Sequence, residues 1–276
     1  MSDRDYDYVA VGHVTCDLLV DGGKGTRQPG GTAFYSALQA ARLGLRTLIL
    51  TQGVPAEVEE LLAPYRDELD LHAIAAAKTT TLSTAGVGAG RSQRMLSWAG
   101  PMADLPAIDA RILHWAPIAK ETPVSWAGEA GFVGVTAQGL VRDWPDGEIQ
   151  MVALDGAVLP DRFDVAVISE HELHACDALF ATAHACGACV AVTAGSAATT
   201  LHTNGGTLKV PAAHVPDVRD ELGAGDVFAA ALFVALAEGR EPVAAATFAH
   251  AASAVRIAGQ GPGAIGTRAR IEALTP

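Results

Sequence analysis

Short apolar runs with the length of a strand alternate along this chain with longer runs of helical character. Tyr8–Gly12, Leu45–Thr51 and Leu69–Ala75 are the first three apolar runs. Two helical runs, Ala33–Leu43 and Pro55–Pro64, stand between them. A helix that connects two strands in this way places them parallel in one sheet, with a right-handed crossover. The alternation therefore predicts an α/β protein built on a mostly parallel sheet.

The second half of the chain continues the pattern. Four further apolar runs are predicted to be strands, at Arg111–Pro117, Phe132–Thr136, Asp164–Ile168 and Cys189–Thr193. Asn204-Gly205-Gly206 between two β-prone runs indicates a hairpin. Two apolar helices, Ala224–Glu238 and Val243–Ile257, are predicted to cover the sheet.

Composition excludes several classes of protein. Of the 276 residues, 50% are hydrophobic and 18% are charged, which is typical of a globular chain. The net charge is −12 and Lys and Arg form no cluster, so we expect no nucleic-acid surface. No apolar run reaches the roughly 20 residues of a membrane span, and the polar, acidic first residues do not resemble a signal peptide. We therefore expect a cytoplasmic protein that binds neither nucleic acid nor membrane.

A turn of small residues, Gly223-Ala224-Gly225, opens the first of the two apolar helices and is followed by Asp226. Small residues let backbone N–H groups converge at a helix start, where the dipole favours an anion such as phosphate. A carboxylate at this place would repel phosphate unless it does chemistry or holds a metal. Asp226 could be a general base that takes a proton from an attacking hydroxyl. The alternative is that Asp226 only caps its helix.

Asp220–Asp226 resembles the signature D-T-x-G-A-G-D of the PfkB/ribokinase family of small-molecule kinases, with Glu221 in place of the Thr. The resemblance extends over nearly the whole chain. It implies a single three-layer α/β/α ribokinase-like domain over residues 1–276, with a mostly parallel central sheet. It also implies a small β-lid formed by residues at about 14–30 and 78–98. The implied activity is transfer of the γ-phosphoryl group of ATP to a hydroxyl of a sugar, an inositol or a nucleoside.

The resemblance assigns roles around the Gly-Ala-Gly turn. Asp226 would be the general base, and the backbone N–H groups of the turn would stabilise the transferring phosphoryl group. Glu172 matches the Glu of the family's N-x-x-E element, which arranges Mg²⁺, although Ser169 replaces the Asn. Mg²⁺ prefers one or two carboxylates together with phosphate oxygens and water. The acids at positions 170–172 could equally belong to the first turn of a helix.

The resemblance also predicts where the acceptor binds. Asp17 follows the first strand at the family's spacing for an acidic residue that binds substrate hydroxyls, although it could be an ordinary turn Asp. Gly30 and Gly31 precede a helix and would let the substrate approach the backbone closely. Thr32 stands where the family has a substrate-binding Asn. Arg91, on a lid strand, could reach the substrate or a phosphate, or could lie on a solvated face.

The nucleotide site is expected from two further elements. Thr193, Gly195 and Ser196 lie in a segment that resembles the family's V-T-x-G turn, which lies under the nucleotide. His250 and Ser253 are three residues apart and so share one face of the last long helix. In the family this helix and the V-T-x-G turn bracket the adenine. A buried structural role for His250 is the alternative.

Two other functions remain open at this point. The departures at Thr32, Ser169 and Glu221 are compatible with a catalytically silent ligand-binding or regulatory protein on the same fold. A nicotinamide-dependent oxidoreductase is disfavoured, because Gly12-His13-Val14 after the first strand lacks the G-x-G-x-x-G turn. Lid strands of this family often pair between subunits, so the resemblance leaves a homodimer open.

Overall fold

The structure is a computed structural model that describes residues 4–21, 24–86 and 92–275. The strands in chain order are β1 Tyr6–Val11, β2 Thr15–Asp21, β3 Lys24–Gly30, β4 Thr47–Gly53, β5 Asp70–Ala75, β6 Thr81–Ala85, β7 Ser92–Ser97, β8 Ala110–Trp115, β9 Ala130–Thr136, β10 Arg142–Asp143, β11 Gln150–Met151, β12 Val165–Ser169, β13 Cys189–Thr193, β14 Thr199–Thr203 and β15 Gly206–Val210. The α-helices are α1 Thr32–Arg42, α2 Pro55–Leu62, α3 Asp177–Cys186, α4 Ala224–Ala237, α5 Pro242–Ile257 and α6 Arg268–Glu272.

Nine strands form the central sheet, in the order β15-β14-β13-β12-β9-β8-β1-β4-β5. The pairs from β13 to β5 are parallel, and β14 and β15 add an antiparallel hairpin at one edge. The central strand β1 has parallel neighbours on both sides, so Val9 pairs with both Leu48 and Leu113. This order confirms the α/β architecture predicted from the alternating runs.

Each face of the central sheet carries its own hydrophobic core. On one face lie α1, α4 and α5 with the apolar residues of α2 and α6, and on the other lie α3 and irregular segments. The helix α4 is apolar around its whole circumference and all residues from Val227 to Ala235 are buried, as expected for a helix enclosed by neighbours. Gly134 in β9 allows this close approach, because a Cβ there would overlap the Phe233 ring. Across the described ranges, no helix combines the length and apolarity that crossing a membrane requires.

A second, four-stranded sheet has the order β3-β2-β6-β7 and corresponds to the predicted lid. The β2–β3 and β6–β7 pairs are antiparallel hairpins, and β2 and β6 join them in parallel. The outer edge of β7 is covered by the chain itself, since the Met95 amide donates to Gly147 O and the Ile149 amide donates to Gln93 O. The predicted substrate residue Arg91 lies outside the described residues.

Candidate active site

A cleft opens at the carboxyl end of the parallel strands, between the central sheet and the lid sheet. Asp17, Gly31 and Asp226 line it, together with the turn 223–225 that opens α4. Open α/β sheets bind ligands at this end of their strands. The structure therefore brings together the carboxylates expected to hold the acceptor and to take its proton, although they are 209 positions apart in the chain.

The turn before α4 needs its glycines for two different reasons. Gly223 has φ 76°, in the left-handed region, and a Cβ there would overlap the Tyr35 ring. Gly225 is exposed, and a Cβ there would meet nothing within 4 Å. The carbonyl of Ala224 accepts a hydrogen bond from Ser253 Oγ at 3.0 Å, which ties α5 to this first turn. The turn 223–225 and Asp226 line the cleft, while the Ala224 amide donates within the turn to Glu221 O at 3.2 Å.

A buried ion pair fixes the chain just before this turn. Arg256 is fully buried and its Nη2 donates to Asp220 Oδ2 at 2.8 Å. The same carboxylate accepts the amides of Leu222 and Gly261 at 2.9 Å. Burial alone would raise the pKa of Asp220, but the hydrogen bonds from Arg256 and Leu222 lower it overall. Asp220 thus holds together the two loops that flank the helix start.

Asp17 lies near the start of the lid strand β2 and is only 3% exposed. Its Oδ1 accepts a hydrogen bond from Thr15 Oγ1 at 2.6 Å. Gly30 lies directly beside it, because the β2–β3 register pairs Thr15 with Gly30, and a Cβ on Gly30 would overlap the carboxylate. Gly31 has φ 90°, and a Cβ there would overlap His13 O. The glycine pair therefore makes room for Asp17 and for the start of α1.

A buried carboxylate that the sequence analysis did not identify supports the floor of the cleft. Glu121 is 1% exposed and accepts three backbone amides, from His13 at 2.9 Å, Ile118 at 2.8 Å and Ala119 at 2.7 Å. It joins the turn after β1 to the turn after β8, so it fixes the segment that leads into Asp17. Burial lowers the pKa of His13, partly opposed by Glu121.

A second cavity lies next to the cleft and contains Glu172, the predicted magnesium residue, together with Ser169 and His171. Glu172 is 5% exposed and its Oε2 accepts the Ser169 amide at 2.8 Å. Within residues 4–21, 24–86 and 92–275, no group of three or more His, Cys, Asp or Glu side chains could hold a metal ion. A single carboxylate in the lining of this cavity fits Mg²⁺ carried mainly by donor phosphates and water.

The remaining predicted site residues differ in how deeply they are buried. Thr32 is fully buried, and its hydroxyl has no hydrogen-bond partner in the structure. Thr193 Oγ1 donates to Ile168 O at 3.2 Å, while Ser196 is exposed beside Gly195 at the end of β13. His250 is 7% exposed with its ring against Phe228, and burial lowers its pKa. The roles of these residues and of Ser253 toward a nucleotide stay predictions.

Three residues of the cleft were missed by the sequence analysis. Tyr35, Gln93 and Arg142 all line it. In the sequence, Tyr35 belongs to the apolar pattern of α1, and Gln93 is one polar residue in a lid strand. Neither pattern indicates a site residue. Gln138 also lies on the cleft, and both Gln138 and Arg142 line the second cavity as well.

Part of the chain matches a known protein family. Residues 151–268 match the model of the pfkB family of carbohydrate kinases, and this range contains the α4 turn with Asp226 and also Glu172. The C-terminal part of the chain, residues 151–268, is thus similar to the pfkB family of carbohydrate kinases. No curated protein sequence matches the chain.

Solved structures share the ribokinase-like fold over nearly the whole length of this chain. One is a pyrophosphate-dependent kinase of the ribokinase family complexed with a pyrophosphate analogue and myo-inositol, at 20% identity, covering 96% of this chain and 99% of that one, with a TM-score of 0.79. Others are the Arabidopsis thaliana ribokinase with ribose and ATP, at 18% identity, 98% of both chains and TM-score 0.74, and the Vibrio cholerae fructokinase with fructose, ADP and calcium, at 19% identity, 98% and 99% coverage and TM-score 0.74. At these identities the likeness is one of fold.

Proposed function

We propose that this protein transfers the γ-phosphoryl group of ATP to a hydroxyl of a small polyhydroxylated substrate, namely a sugar, an inositol or a nucleoside. The observation that carries the proposal is the shared cleft of Asp17 and Asp226 at the open start of α4. A buried carboxylate near one wall suits hydroxyl groups of an acceptor, because it accepts two hydrogen bonds. The helix start suits a phosphoryl group.

In this proposal Asp226 takes the proton of the attacking hydroxyl. The acceptor oxygen then forms a bond to the terminal phosphorus, and the bond from that phosphorus to the bridging oxygen of the donor breaks. The leaving phosphate keeps the electron pair of that bond. The amides of Gly223 and Gly225 would stabilise the charge on the group in transit. The Ala224 amide, which donates to Glu221 O at 3.2 Å, would have to exchange this partner to take part. Closure of the lid sheet excludes water, which would otherwise compete as acceptor.

Mg²⁺ is expected to accompany the donor. Glu172 would hold it, directly or through water, and the ion would supply neutralisation of phosphate charge. Asp17 would orient the acceptor, with Gly30 and Gly31 leaving space for it. These roles are consistent with a chain of net charge −12, which must bind an anionic donor through local groups.

Pyrophosphate is a second candidate donor, because pyrophosphate-dependent kinases share this fold. Structures with this fold include pyrophosphate-dependent kinases, one of which has a TM-score of 0.79 with this chain. Transfer from pyrophosphate would use the same cleft and the same base, and would release phosphate in place of ADP. It would need no adenine site, so residues near α5 would not affect it.

The proposal is tested by incubating the protein and Mg²⁺ with each donor, ATP or pyrophosphate, against a panel of myo-inositol, ribose, fructose and adenosine. Phosphorylated products are detected by ³¹P NMR and mass spectrometry. We expect one donor and one class of acceptor to give product. Tight binding of an acceptor by calorimetry, with no product from either donor, would identify a silent binding protein and reject the proposed function.

A further inference from the structure

Arg142 occupies the wall between the cleft and the second cavity. It opens β10, directly after the 3-10 helix Ala137–Val141. Both Arg142 and Gln138 line the cleft that contains Asp226 and also the cavity that contains Glu172. This wall is therefore the place where a donor phosphate bound near Glu172 would meet an acceptor bound near Asp226.

The Arg142 side chain is held in this wall by the surrounding protein. It is 9% exposed, Nη1 donates to Ile118 O at 3.3 Å, and Nη2 donates to Gln93 Oε1 at 3.3 Å. Its backbone is fixed as well, because Arg142 pairs with Met151 in the β10–β11 ribbon. Gly139 packs so closely on the preceding loop that a Cβ there would overlap Pro117 O. A guanidinium on such a rigid support loses little freedom when it binds a ligand.

The charges around this wall are otherwise negative. The cleft contains Asp17, Asp226 and Glu221, and the second cavity contains Glu172. Among the described residues that line either cavity, Arg142 is the one that carries a permanent positive charge. A phosphoryl group entering between carboxylates would meet strong repulsion without such a cation, whose field acts over short distances in a partly closed site.

We propose that the Arg142 guanidinium contacts the phosphoryl group during its transfer and balances the negative charge of that group. Arg142 would do so from the wall shared by the two cavities, and the amides at the start of α4 would contact the phosphoryl group from that helix. The inference rests on the proposed function and deepens it. The hydroxyl proton goes to Asp226, the acceptor oxygen bonds to phosphorus, and the bond to the donor's bridging oxygen breaks with its electron pair leaving on the donor. Arg142 keeps its protons throughout. This use of a planar guanidinium on phosphate oxygens is chemically favourable.

One hydrogen-bond acceptor of this arginine, Gln93, belongs to the lid. Gln93 lies on β7, and its side chain donates to Thr84 Oγ1 at 3.1 Å while its Oε1 accepts from Arg142. A displaced lid would withdraw that acceptor from the guanidinium. Gln93 is thus a positioning residue, and the correct placement of Arg142 depends on the state of the lid.

The test compares Arg142→Ala and Arg142→Lys with the wild-type protein, using the donor and acceptor that give product. We expect kcat to fall about 100-fold or more in Arg142→Ala, the usual effect of removing one donor that stabilises transition-state charge. Acceptor affinity, measured by calorimetry, should change by less than about threefold, since Asp17 is unaffected. Added guanidinium ion should restore part of kcat in Arg142→Ala and should not affect the wild type, an effect that a merely structural arginine would not show.

Arg94→Ala is the matched control. Arg94 lies on the lid strand β7, next to Gln93, and is exposed. Its guanidinium donates to Asp146 O, outside both cavities. We expect this variant to keep kcat within about twofold, as surface substitutions do. Gln93→Ala should lower kcat by about tenfold, less than loss of the guanidinium itself.

Three results would overturn the inference. The first is a kcat of Arg142→Ala within about threefold of the wild type. The second is a lowered kcat with no recovery in guanidinium and an equal loss in acceptor affinity, which would make Arg142 structural. If Arg142→Ala does not fold, Arg142→Gln decides, because it removes the charge and keeps a polar side chain. A kcat of Arg142→Gln within about threefold of the wild type would then reject the inference. Absence of product from the wild type with both donors would instead reject the proposed function, and the inference with it.

Discussion

The Asp17 carboxylate occupies the space that a side chain on Gly30 would need. A Cβ built on Gly30 would overlap both oxygens and the carboxyl carbon of Asp17. The two residues meet because the β2–β3 hairpin brings the end of β3 back to the start of β2. The glycine is therefore part of the proposed acceptor site, although it has no functional group of its own.

Gly30→Ala is expected to displace the Asp17 carboxylate and weaken acceptor binding by about tenfold, equivalent to about 1.4 kcal/mol. The same strand offers a control in Gly25, where a Cβ meets nothing within 4 Å. Calorimetric titration of both variants with the acceptor measures the effect. Equal affinities for the two variants would show that Asp17 does not bind the acceptor.

Asp226→Asn should remove the general base while keeping the shape of the cleft. We expect turnover to fall by roughly 10²–10⁴-fold, as typically occurs on loss of a positioned base, with donor affinity retained or improved. Steady-state kinetics and donor titrations measure the two effects. Asp217→Asn, which changes an exposed carboxylate in an ion pair with Arg219, is the control. A turnover near that of the wild type in Asp226→Asn would remove Asp226 from the mechanism.

The two glycines of the α4 turn should respond differently to alanine. Gly223→Ala should lower the free energy of unfolding by about 2 kcal/mol or more, because it combines a left-handed φ with overlap on Tyr35. Gly225→Ala should leave stability unchanged or raise it by up to about 1 kcal/mol, since alanine favours helices. Its turnover should nevertheless fall, because the methyl group would stand at the rim of the phosphate site.

Both glycine variants are measured by chemical denaturation and by kinetics. Comparable stability losses in Gly223→Ala and Gly225→Ala would contradict the geometry described for the turn. Unchanged turnover in Gly225→Ala would argue that phosphate does not approach this amide.

The ion pair of Arg256 and Asp220 should make a large contribution to stability. Arg256→Met leaves a partly buried carboxylate without its cation and should cost about 3–5 kcal/mol of unfolding free energy. Arg219→Met removes an exposed partner of Asp217 and should cost at most about 1 kcal/mol. Urea denaturation of the two variants gives the comparison. A loss in Arg256→Met no greater than in Arg219→Met would show that the ion pair does not hold the loop.

Stability should depend on pH through His114. This residue is buried between β1 and β9, where its Nδ1 lies 2.7 Å from the Tyr8 hydroxyl and its Nε2 lies 2.7 Å from Thr136 Oγ1. Burial lowers the pKa of His114 to about 3 from an ordinary value of 6.5. The unfolded chain therefore binds more protons between these values, so the free energy of unfolding falls as pH falls below about 6.5. Above that pH the contribution of His114 is constant.

His114→Gln should show a shallower loss of stability between about pH 6.5 and pH 4 than the wild type, because glutamine does not titrate. Urea midpoints measured at several pH values in this range, relative to the midpoint at pH 7.5, give the two slopes. Identical slopes would mean that His114 is not responsible for the acid sensitivity of the fold.

Much of the architecture could be predicted because it depends on local patterns. The alternation of runs with strand length and helix length predicted the parallel sheet. The sequence Asn204-Gly205-Gly206 predicted the β14–β15 hairpin. The Gly-Ala-Gly turn followed by Asp226 located one half of the cleft. Each of these patterns lies within a few consecutive residues, so it can be recognised without knowledge of the tertiary structure.

The rest of the site depends on contacts between distant segments. Arg142 is one arginine after an unremarkable Gly-Leu-Val, and it becomes relevant only because β10 passes between the two cavities. Glu121 gives no pattern either, since its three amide donors come from two separate turns. Thr32, at a motif position expected at the substrate, is fully buried, and its role there stays a prediction. Spacing alone cannot indicate which way such side chains point.

The segment that covers the edge of β7 has a consequence for assembly. Bare sheet edges attract strands from other molecules, and residues 147–149 already use the main-chain groups of β7 that a second copy would need. Two molecules that joined their lids strand to strand would therefore have to do so along β3, at the opposite margin of the lid sheet. Self-association through the lid is thereby limited to one side.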